Sequence, residues 1–260
     1  MNSQEQTPPD RWDEHGSQAF IDYGRYFVPE RERQLQIMVD LLPVSDQPAA
    51  AIDLCCGEGL LAEAILAQRL VYQVFGLDGS PAMLARAAER MARFGDRFQA
   101  RQFDLFDREW PELSLPLRAV VSSLAIHHLD GPGKLALFRE IHTLLTPGGV
   151  LAIADLVEPA QPVGWAIAAR GWDEAVQARS LELDGKLEGF AAFDRLRWNM
   201  YRYYDPTDID RLSGLFDQLK WLERAGFEAV DIYWMRAGHA IFGGSKPGER
   251  IRSDAQHDSG

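Results

Sequence analysis

Acidic residues and two adjacent histidines stand at the ends of short apolar runs in this chain. Asp53, Asp78 and Asp104 each end or closely follow such a run, and His127 and His128 follow another. Because the carboxyl ends of parallel strands meet at one edge of a sheet, we expect these side chains to gather at one site. A carboxylate there accepts hydrogen bonds from ligand ammonium or hydroxyl groups, and a neutral imidazole accepts a proton near pH 7.

The first acidic residue opens a loop that contains two glycines. Gly57 and Gly59 follow Asp53 and lead into an apolar helical run over 60–66, so the order is buried strand, tight loop, helix. The glycines let the backbone pass close to a ligand, and the helix N-terminus offers free N–H groups. The loop also fits G-x-G-x-x-G/A, but a carboxylate at Asp53 would repel a dinucleotide pyrophosphate. The ammonium group of S-adenosyl-L-methionine suits it better.

The composition fits one α/β domain with an acidic surface. The chain has 260 residues, 46% of them hydrophobic, and a formal net charge of −12 from 27 basic and 39 acidic side chains. That charge repels phosphate backbones, so we expect no nucleic-acid partner. Cys55 and Cys56 are adjacent, which suits neither a structural disulfide nor a metal site and is typical of a reducing compartment.

The ends of the sequence are polar. Residues 1–11 and 248–260 are predicted to be disordered tails around a single domain at 12–247. The N-terminal stretch has no apolar signal-peptide core, and no uninterrupted apolar run approaches ~18 residues. We therefore expect a cytoplasmic protein that does not associate with a membrane.

The segment that precedes the first strand, 12–43, is rich in aromatic residues. Apolar residues recur at helical spacing over 30–42, which predicts a helix there. Two interpretations stay open. The segment either packs on the sheet or forms a lid over the site, in which Tyr23, Tyr26 or Arg31 faces a ligand.

Strands and helices then alternate along the chain, which is the pattern of a doubly wound, Rossmann-like α/β sheet. Five strands are predicted at 50–53, 71–77, 98–103, 119–125 and 150–156. Two more, at 227–234 and 237–243, are joined by a short turn, which predicts an antiparallel hairpin. The total is a seven-stranded sheet with one antiparallel strand.

An aromatic-rich insertion at 158–204 interrupts this alternation after the fifth strand. It predicts a helical cap beside the carboxyl ends of the strands, where its aromatic residues either contact a ligand or form a small core of their own. Beyond the cap, Thr207 is predicted to begin a helix that runs to Ala225. Asp210 stands three residues on, as in a capping box.

Taken together, these motifs resemble the class I S-adenosylmethionine-dependent methyltransferases over residues 34–247. Five motifs occur in that family's order and spacing: AIDLCCGEG, LDGSPAML, FDLFD, VVSSLAIHHLD and LLTPGGVLAIADL. The closing stretches LKWLERAGFEAVDIYW and HAIFGGSKP are similar to the family's last helix and hairpin. The resemblance implies an enzyme that uses S-adenosyl-L-methionine as methyl donor.

The resemblance also assigns residues to parts of that donor. The glycine loop would hold the methionine moiety, and Asp78 would hold the ribose. Met83 would flank the adenine, with Asp104 and Leu105 at its amino edge, and Ser123 would lie beside the sulfonium. The full implied set of cofactor-binding residues is Asp53, Cys55, Gly57, Gly59, Asp78, Gly79, Met83, Asp104, Leu105 and Ser123.

One loop position departs from the family pattern, because Cys55 stands where the usual D-x-G-x-G-x-G loop has glycine. If that position needs a positive φ, a cysteine is strained there. We then expect a displaced loop and a donor affinity that is weakened but not lost.

A narrower likeness, through the D-x-S-P-A-M loop, is to carboxy-S-adenosylmethionine synthases. Those enzymes are expected to hold an extra carboxylate with an arginine of the cap. Arg195, Arg197 and Arg202 are candidates, and the sequence does not choose among them. This activity stays an alternative.

Methyl transfer is an in-line displacement at a carbon that positive sulfur already activates, so the protein supplies proximity, alignment and, for O or N acceptors, a base. His127 and His128 are the candidate catalytic residues, and we expect neighbours to differ in direction, so that at most one faces the pocket. The alternative is that both fill the following turn. Catalysis would then rest on proximity alone or on Tyr203, and Asp155 is interpreted as structural.

The predicted acceptor is a small molecule, and the cap aromatics favour one with an apolar or aromatic portion. Motifs for nucleic-acid bases, such as N-P-P-Y, are absent from the sequence, as is the Tyr-x-x-x-Lys pair of NAD(P)-dependent oxidoreductases. A non-catalytic S-adenosylmethionine-binding module stays open as a further alternative. No metal site is predicted, and the acceptor atom and the oligomeric state stay open.

Overall fold

A computed structural model describes residues 14–207 and 209–248. The predicted tails lie outside these residues, apart from Gly248. The strands are β1 Ala49–Leu54, β2 Tyr72–Asp78, β3 Phe98–Gln102, β4 Leu117–Ser123, β5 Val150–Leu156, β6 Glu228–Arg236 and β7 His239–Ser245. The α-helices are α1 Glu14–Phe27, α2 Arg31–Asp40, α3 Leu60–Gln68, α4 Pro81–Met91, α5 Gly131–Leu144, α6 Pro162–Asp184, α7 Glu188–Arg195 and α8 Leu215–Ala225.

The seven strands form one sheet in the order β3-β2-β1-β4-β5-β7-β6. β1 to β5 are parallel, whereas β7 is antiparallel to both β5 and β6. The predicted fold class, a doubly wound seven-stranded sheet with one antiparallel strand, is confirmed. The strand order reverses between β1 and β4, and open α/β sheets bind ligands in the crevice at such a reversal.

β1 shows why the sheet is covered on both faces, since all six of its residues are buried. Alternate side chains point to opposite faces. Ile52 and Leu54 join the core cluster that includes Phe138 of α5 and Leu222 of α8. On the other face, Ala49 and Ala51 join the cluster that includes Met38 of α2 and Ile65 of α3. A continuous apolar run therefore places β1 at the centre of three layers.

The two helices of the N-terminal segment pack on different parts of the protein. α2 packs on the sheet through Met38 and Val39, together with Leu42, which follows the helix. α1 instead packs on the cap helices α6 and α7, where the indole N–H of Trp172 donates to the carbonyl of Phe27 at 2.6 Å. The cap aromatics thus form a core of their own together with α1.

The prediction that a helix begins at Thr207 is wrong, because α8 begins at Leu215 after the N-cap residue Gly214. Both the backbone N–H and the hydroxyl of Thr207 donate to Oδ1 of Asp205. Asp210 contacts two histidines instead of a helix terminus. A tertiary contact has therefore overridden a local capping pattern.

None of the helices among residues 14–207 and 209–248 combines the length and the apolar character needed to cross a membrane.

Candidate active site

A cavity of about 1090 Å³ lies at the carboxyl ends of β1, β2 and β4, below the cap and α1. All but one of the residues predicted from sequence line it. They are Asp53, Cys55, Gly57, Asp78, Gly79, Met83, Asp104, Leu105, Ser123, His127 and His128. Gly59 is the one predicted residue that is not among the described lining residues. It precedes α3 with φ 79°, and an added Cβ there would lie 3.3 Å from Ala87 of α4, so its role is helix packing.

The glycine loop takes up the left-handed conformation at three positions. Cys55 has φ 56°, Gly57 has φ 52° and Gly59 has φ 79°. Glycine adopts this region freely, whereas a residue with a Cβ is strained there. The expectation that Cys55 occupies a strained position is therefore met, and the loop is nevertheless part of the cavity wall.

Asp53 ends β1 with a buried carboxylate. Its Oδ2 accepts a hydrogen bond from the backbone N–H of Ala62 at 3.0 Å, which fixes the carboxylate against the start of α3. Burial raises the pKa of Asp53 to about 7, which the Ala62 bond opposes and the charge of Asp78 increases. A ligand ammonium group at this point would favour the charged form.

Asp78 is oriented by two backbone donors. Its Oδ2 accepts from the N–H of Gly57 at 2.8 Å, and its Oδ1 accepts from the N–H of Ser80 at 2.9 Å. The carboxylate therefore joins the end of β2 to the glycine loop. Each carboxylate oxygen can accept more than one hydrogen bond.

The part of the cavity around Met83 is apolar, with one polar edge. Met83, Phe103 and Leu105 are buried and line the cavity. Asp104 lies between the last two, and its Oδ1 accepts from the N–H of Phe106 at 2.8 Å. A planar ring can pack against these apolar side chains while the Asp104 carboxylate meets an amino group.

Arg31 adds a cation to the cavity near the glycine loop. It lies at the start of α2, and its Nη2 donates to the carbonyl of Gly24 at 2.6 Å. Burial lowers the pKa of Arg31 to about 10, and the charge of Glu58 in the glycine loop opposes this effect. The guanidinium thus stays charged at neutral pH. The sequence predicts Arg31, with Tyr23 and Tyr26, as a candidate ligand contact in the lid.

The chain turns sharply at the end of β4, where Leu124 has φ 56° and its N–H donates to the carbonyl of Ala154 at 2.9 Å. The predicted strand to 125 therefore ends at Ser123. A single 3₁₀ turn, Ile126–His128, follows. It brings both histidine rings to the cavity with their centroids 4.2 Å apart, so the expectation that at most one faces the pocket is wrong.

His127 is held between two carboxylates. Its Nδ1 lies 2.5 Å from Oδ1 of Asp155, and its backbone N–H donates to Oδ2 of the same residue at 2.9 Å. Its Nε2 lies 3.4 Å from Oδ1 of Asp210. The same Asp210 oxygen lies 3.0 Å from Nδ1 of His128. The four side chains form one buried network at the end of β4.

The network gives the two histidines different charge states. Burial lowers the pKa of His127, but the charges of Asp155 and Asp210 outweigh burial and raise it to about 10. Burial and the neighbouring His127 charge both lower the pKa of His128. At pH 7 His127 is therefore an imidazolium and His128 a neutral imidazole. The charge of His127 and the contacts of both histidines hold the pKa of Asp210 below its usual value despite burial.

The segment that carries Asp210 is fixed to the histidine turn by the backbone. The N–H of Arg211 donates to the carbonyl of His127 at 2.7 Å. The buried Lys134 of α5 donates through Nζ to the carbonyl of Arg211 at 2.6 Å and to the hydroxyl of Ser213 at 2.7 Å. Sequence reasoning missed Asp210, because nothing local indicates that its segment returns to β4.

His127, His128 and Asp210 also place three possible metal ligands within 4.8 Å of one another. Ion pairing accounts for this geometry, since the His127 imidazolium lies between the carboxylates of Asp155 and Asp210. The prediction of no metal site is retained as a hypothesis.

The cap side of the cavity is lined by apolar and aromatic side chains: Phe20, Leu156, Trp172, Leu196, Trp198, Met200 and Tyr203. The hydroxyl of Tyr203 donates to Oδ1 of Asp194 at 2.6 Å, and this bond raises its pKa, which makes it a poor base at neutral pH. Of the three cap arginines, Arg202 pairs with Asp173, and only Arg197 is among the residues that line the described cavity.

Residues 51–149 match the family model described as "Methyltransferase domain". The chain is 34% identical over 232 residues to a trans-aconitate 2-methyltransferase of Methylobacterium radiotolerans, an alignment that covers 80% of this chain and 84% of the relative. The chain belongs to the class I S-adenosylmethionine-dependent methyltransferases. S-Adenosylmethionine is therefore the methyl donor of this methyltransferase, and its acceptor is a small molecule.

Solved structures agree with this fold. An O-methyltransferase family protein from Burkholderia thailandensis superposes with a TM-score of 0.63 at 17% identity, over 91% of this chain and 61% of that chain. A phosphoethanolamine N-methyltransferase from Haemonchus contortus, solved with S-adenosyl-L-methionine, superposes with a TM-score of 0.60 at 17% identity. The superposition covers 90% of this chain and 57% of that chain. The methyltransferase thus spans about three fifths of the length of these two chains, and their likeness concerns the fold.

Proposed function

We propose that this methyltransferase transfers a methyl group to a small acceptor whose proton is removed by His128. The observation that carries the proposal is the 3.0 Å contact between Nδ1 of His128 and Oδ1 of Asp210. A carboxylate on one ring nitrogen orients an imidazole and leaves the other nitrogen as the basic atom, as in the dyads of many hydrolases. His127, an imidazolium at neutral pH, cannot accept that proton and is a positioning residue.

The donor fits the cavity on charge and shape. S-Adenosylmethionine supplies a methyl carbon bound to positive sulfur, and its ammonium and carboxylate need opposite partners. Asp53 offers a carboxylate and Arg31, near Glu58 of the glycine loop, offers a guanidinium, and both line the cavity. We propose that Asp78 accepts hydrogen bonds from the ribose hydroxyls, with Gly79 beside it. Leu105 and Met83 provide apolar contact for the adenine.

For the chemical step, the protein mainly needs to align the donor and the acceptor. An acceptor oxygen or nitrogen attacks the methyl carbon in line with the carbon–sulfur bond, whose electron pair returns to sulfur. His128 takes the proton of the attacking group, which is worth about 10²–10⁴-fold in rate. The aromatic wall of the cap supports an acceptor with an apolar or ring portion. Ser123 is the last residue of β4, shortly before the histidine turn, and is proposed to flank the sulfonium.

We also propose that α1 acts as a lid and 158–204 as a cap of one methyltransferase domain in a cytoplasmic enzyme. The packing of α1 on α6 and α7 supports the first part, because the two elements cover the cavity together. The free thiols Cys55 and Cys56 support a reducing compartment.

Calorimetry and a labelled-donor screen test the proposal together. We expect the purified protein to bind S-adenosylmethionine and S-adenosylhomocysteine, and not NAD(H). Incubation with methyl-labelled S-adenosylmethionine and a small-metabolite extract should then yield labelled products that are absent with His128→Ala. Micromolar NAD binding without binding of the donor would contradict the donor assignment. Undiminished labelling by His128→Ala would contradict the base.

A further inference from the structure

Arg197 occupies a backbone position that normally belongs to glycine. α7 ends at Arg195, and the N–H of Trp198 donates to the carbonyl of Phe193 at 3.0 Å while that of Arg197 donates to Asp194 at 2.9 Å. These two bonds define a Schellman motif with Arg197 at C′, where φ is 52°. A residue with a Cβ is strained in this region, so the arginine is retained at an energetic cost.

The side chain of Arg197 is directed to the mouth of the cavity and held there. Its guanidinium lies over the ring of Tyr203, 4.7 Å from the centroid, and both residues line the cavity. The Tyr203 hydroxyl is in turn fixed by Asp194. Stacking restrains the guanidinium plane but leaves the edge with its N–H donors available for a planar acceptor.

No carboxylate of the described residues lies within ion-pair distance of Arg197. Its neighbours in the chain differ in this respect, because Arg202 pairs with Asp173. Apart from its contact with Tyr203, the charge of Arg197 helps to lower the pKa of Asp205, whose bonds to Thr207 are the larger cause. A strained, stacked and exposed guanidinium at a cavity mouth is suited to an anionic ligand.

The other cation of the cavity is committed elsewhere. Among the described lining residues, the arginines and lysines are Arg31 and Arg197 alone. Arg31 lies against the carbonyl of Gly24 and near Glu58 of the glycine loop, at the methionine end. In the histidine network His127 and Asp155 are buried and His128 and Asp210 are half-buried, whereas Arg197 is exposed. An acceptor that reaches from His128 to the mouth therefore meets Arg197 at its outer end.

We propose that Arg197 binds a carboxylate, or a similar planar oxyanion, at the end of the acceptor opposite the methylated atom. This inference rests on the proposed function and specifies its substrate class: a singly charged organic acid with an apolar or aromatic body. Acidic residues outnumber the two arginines in the cavity lining, among them Asp107, Glu109 and Asp205. That excess disfavours acceptors with several negative charges.

Fractionation of acceptors by charge tests the substrate class. A small-metabolite extract is passed over an anion exchanger at pH 7, and both fractions are incubated with methyl-labelled S-adenosylmethionine and the full-length enzyme. We expect the retained, acidic fraction to be labelled. Labelling confined to the unretained fraction would overturn the proposal. Failure to bind S-adenosylhomocysteine would instead contradict the proposed function.

Substitution of Arg197 then separates binding from folding. Arg197→Gly relieves the positive φ, so we expect a melting temperature equal to that of the wild type or about 2–4 °C higher. The amount of retained fraction that gives half-maximal labelling should rise at least about tenfold, the effect of losing a charge-assisted contact. Arg197→Lys keeps the charge without the planar fork and should recover part of that loss.

Arg195→Ala is the matched control, because Arg195 is exposed on the last turn of α7 and lies outside the described cavity lining. It should leave the half-maximal amount unchanged. If Arg197→Gly and Arg197→Ala both reach half-maximal labelling at the same amount of retained fraction as the wild type, the proposal is overturned. If both variants need more of the retained fraction for half-maximal labelling, and Arg197→Gly keeps the wild-type melting temperature, the proposal is established.

Discussion

Oδ1 of Asp210 lies 3.0 Å from Nδ1 of His128, although the two residues are separated by the fifth strand and the whole cap. The same oxygen faces Nε2 of His127 at 3.4 Å. One carboxylate therefore connects the segment after the cap to the turn after β4.

His128→Ala is expected to reduce turnover about 10²–10⁴-fold, because a positioned base contributes that factor. Donor affinity should change less than about twofold, since the ring is assigned to the acceptor side. Steady-state kinetics with the labelled donor and calorimetry with S-adenosylhomocysteine measure the two quantities. Near-normal turnover would mean that alignment alone suffices.

His127→Gln is expected to cost stability in a pH-dependent way. The pKa of His127 is raised from 6.5 to about 10 in the folded protein, so its stabilisation is complete below pH 6.5 and is lost as the pH rises through 10. The difference in free energy of unfolding between wild type and variant should therefore shrink from pH 6 to pH 10. Denaturant titrations across that range check it, and a constant difference would exclude the ion-pair role.

Asp210→Asn should lower turnover by about tenfold or more while retaining donor binding, because an amide no longer fixes His128 by charge. The pH profile is the sharper readout. Without the Asp210 carboxylate the pKa of His127 should fall, and the variant should lose stability at lower pH than the wild type does. Asp217→Asn, on the exposed face of α8, is the matched control. Identical profiles for the two variants would assign Asp210 a purely packing role.

Donor affinity is expected to depend on pH through Asp53. Its pKa is raised by burial to about 7, so in the ligand-free protein the carboxylate is progressively protonated below pH 7. The dissociation constant for S-adenosylmethionine should then rise up to about tenfold per pH unit below 7 and level off above it. Asp53→Asn should abolish this dependence in calorimetry. A flat wild-type profile would show that Asp53 does not meet the ammonium group.

Asp78→Ala should weaken donor binding by about 1–3 kcal/mol, the range for hydrogen bonds to a charged group. The fold should survive, although the bonds to Gly57 and Ser80 are lost. Calorimetry and thermal unfolding distinguish the outcomes. Unchanged affinity with a collapsed melting temperature would make Asp78 a structural residue of the loop.

Cys55→Gly is expected to raise the free energy of unfolding by about 1 kcal/mol, because it removes the Cβ from a left-handed position. Cys55→Ala keeps the Cβ and should bring no such gain. Donor affinity of Cys55→Gly should equal or exceed that of the wild type if strain displaces the loop. Chemical denaturation and calorimetry on the two variants decide between strain relief and lost side-chain packing.

Much of the fold and of the donor site is determined by local sequence. The apolar run before Asp53, the glycines after it and the cap at Ser80-Pro81 each specify a strand, a turn or a helix start within a few residues. Such signals need no distant partner, because hydrogen bonds, φ preferences and burial periodicity act over one element. Together with the alternation of elements they predicted the seven-stranded sheet and most of the residues that line its cavity.

The acceptor side was decided by the tertiary structure. Locally, Thr207 and Asp210 form a capping pattern, yet the buried histidine pair offers Asp210 stronger, charge-assisted contacts than a helix terminus does. Likewise, only the strained turn at Leu124 brings both histidines into the cavity. Contacts between segments far apart in sequence depend on how whole elements pack, and no spacing along the chain encodes that packing.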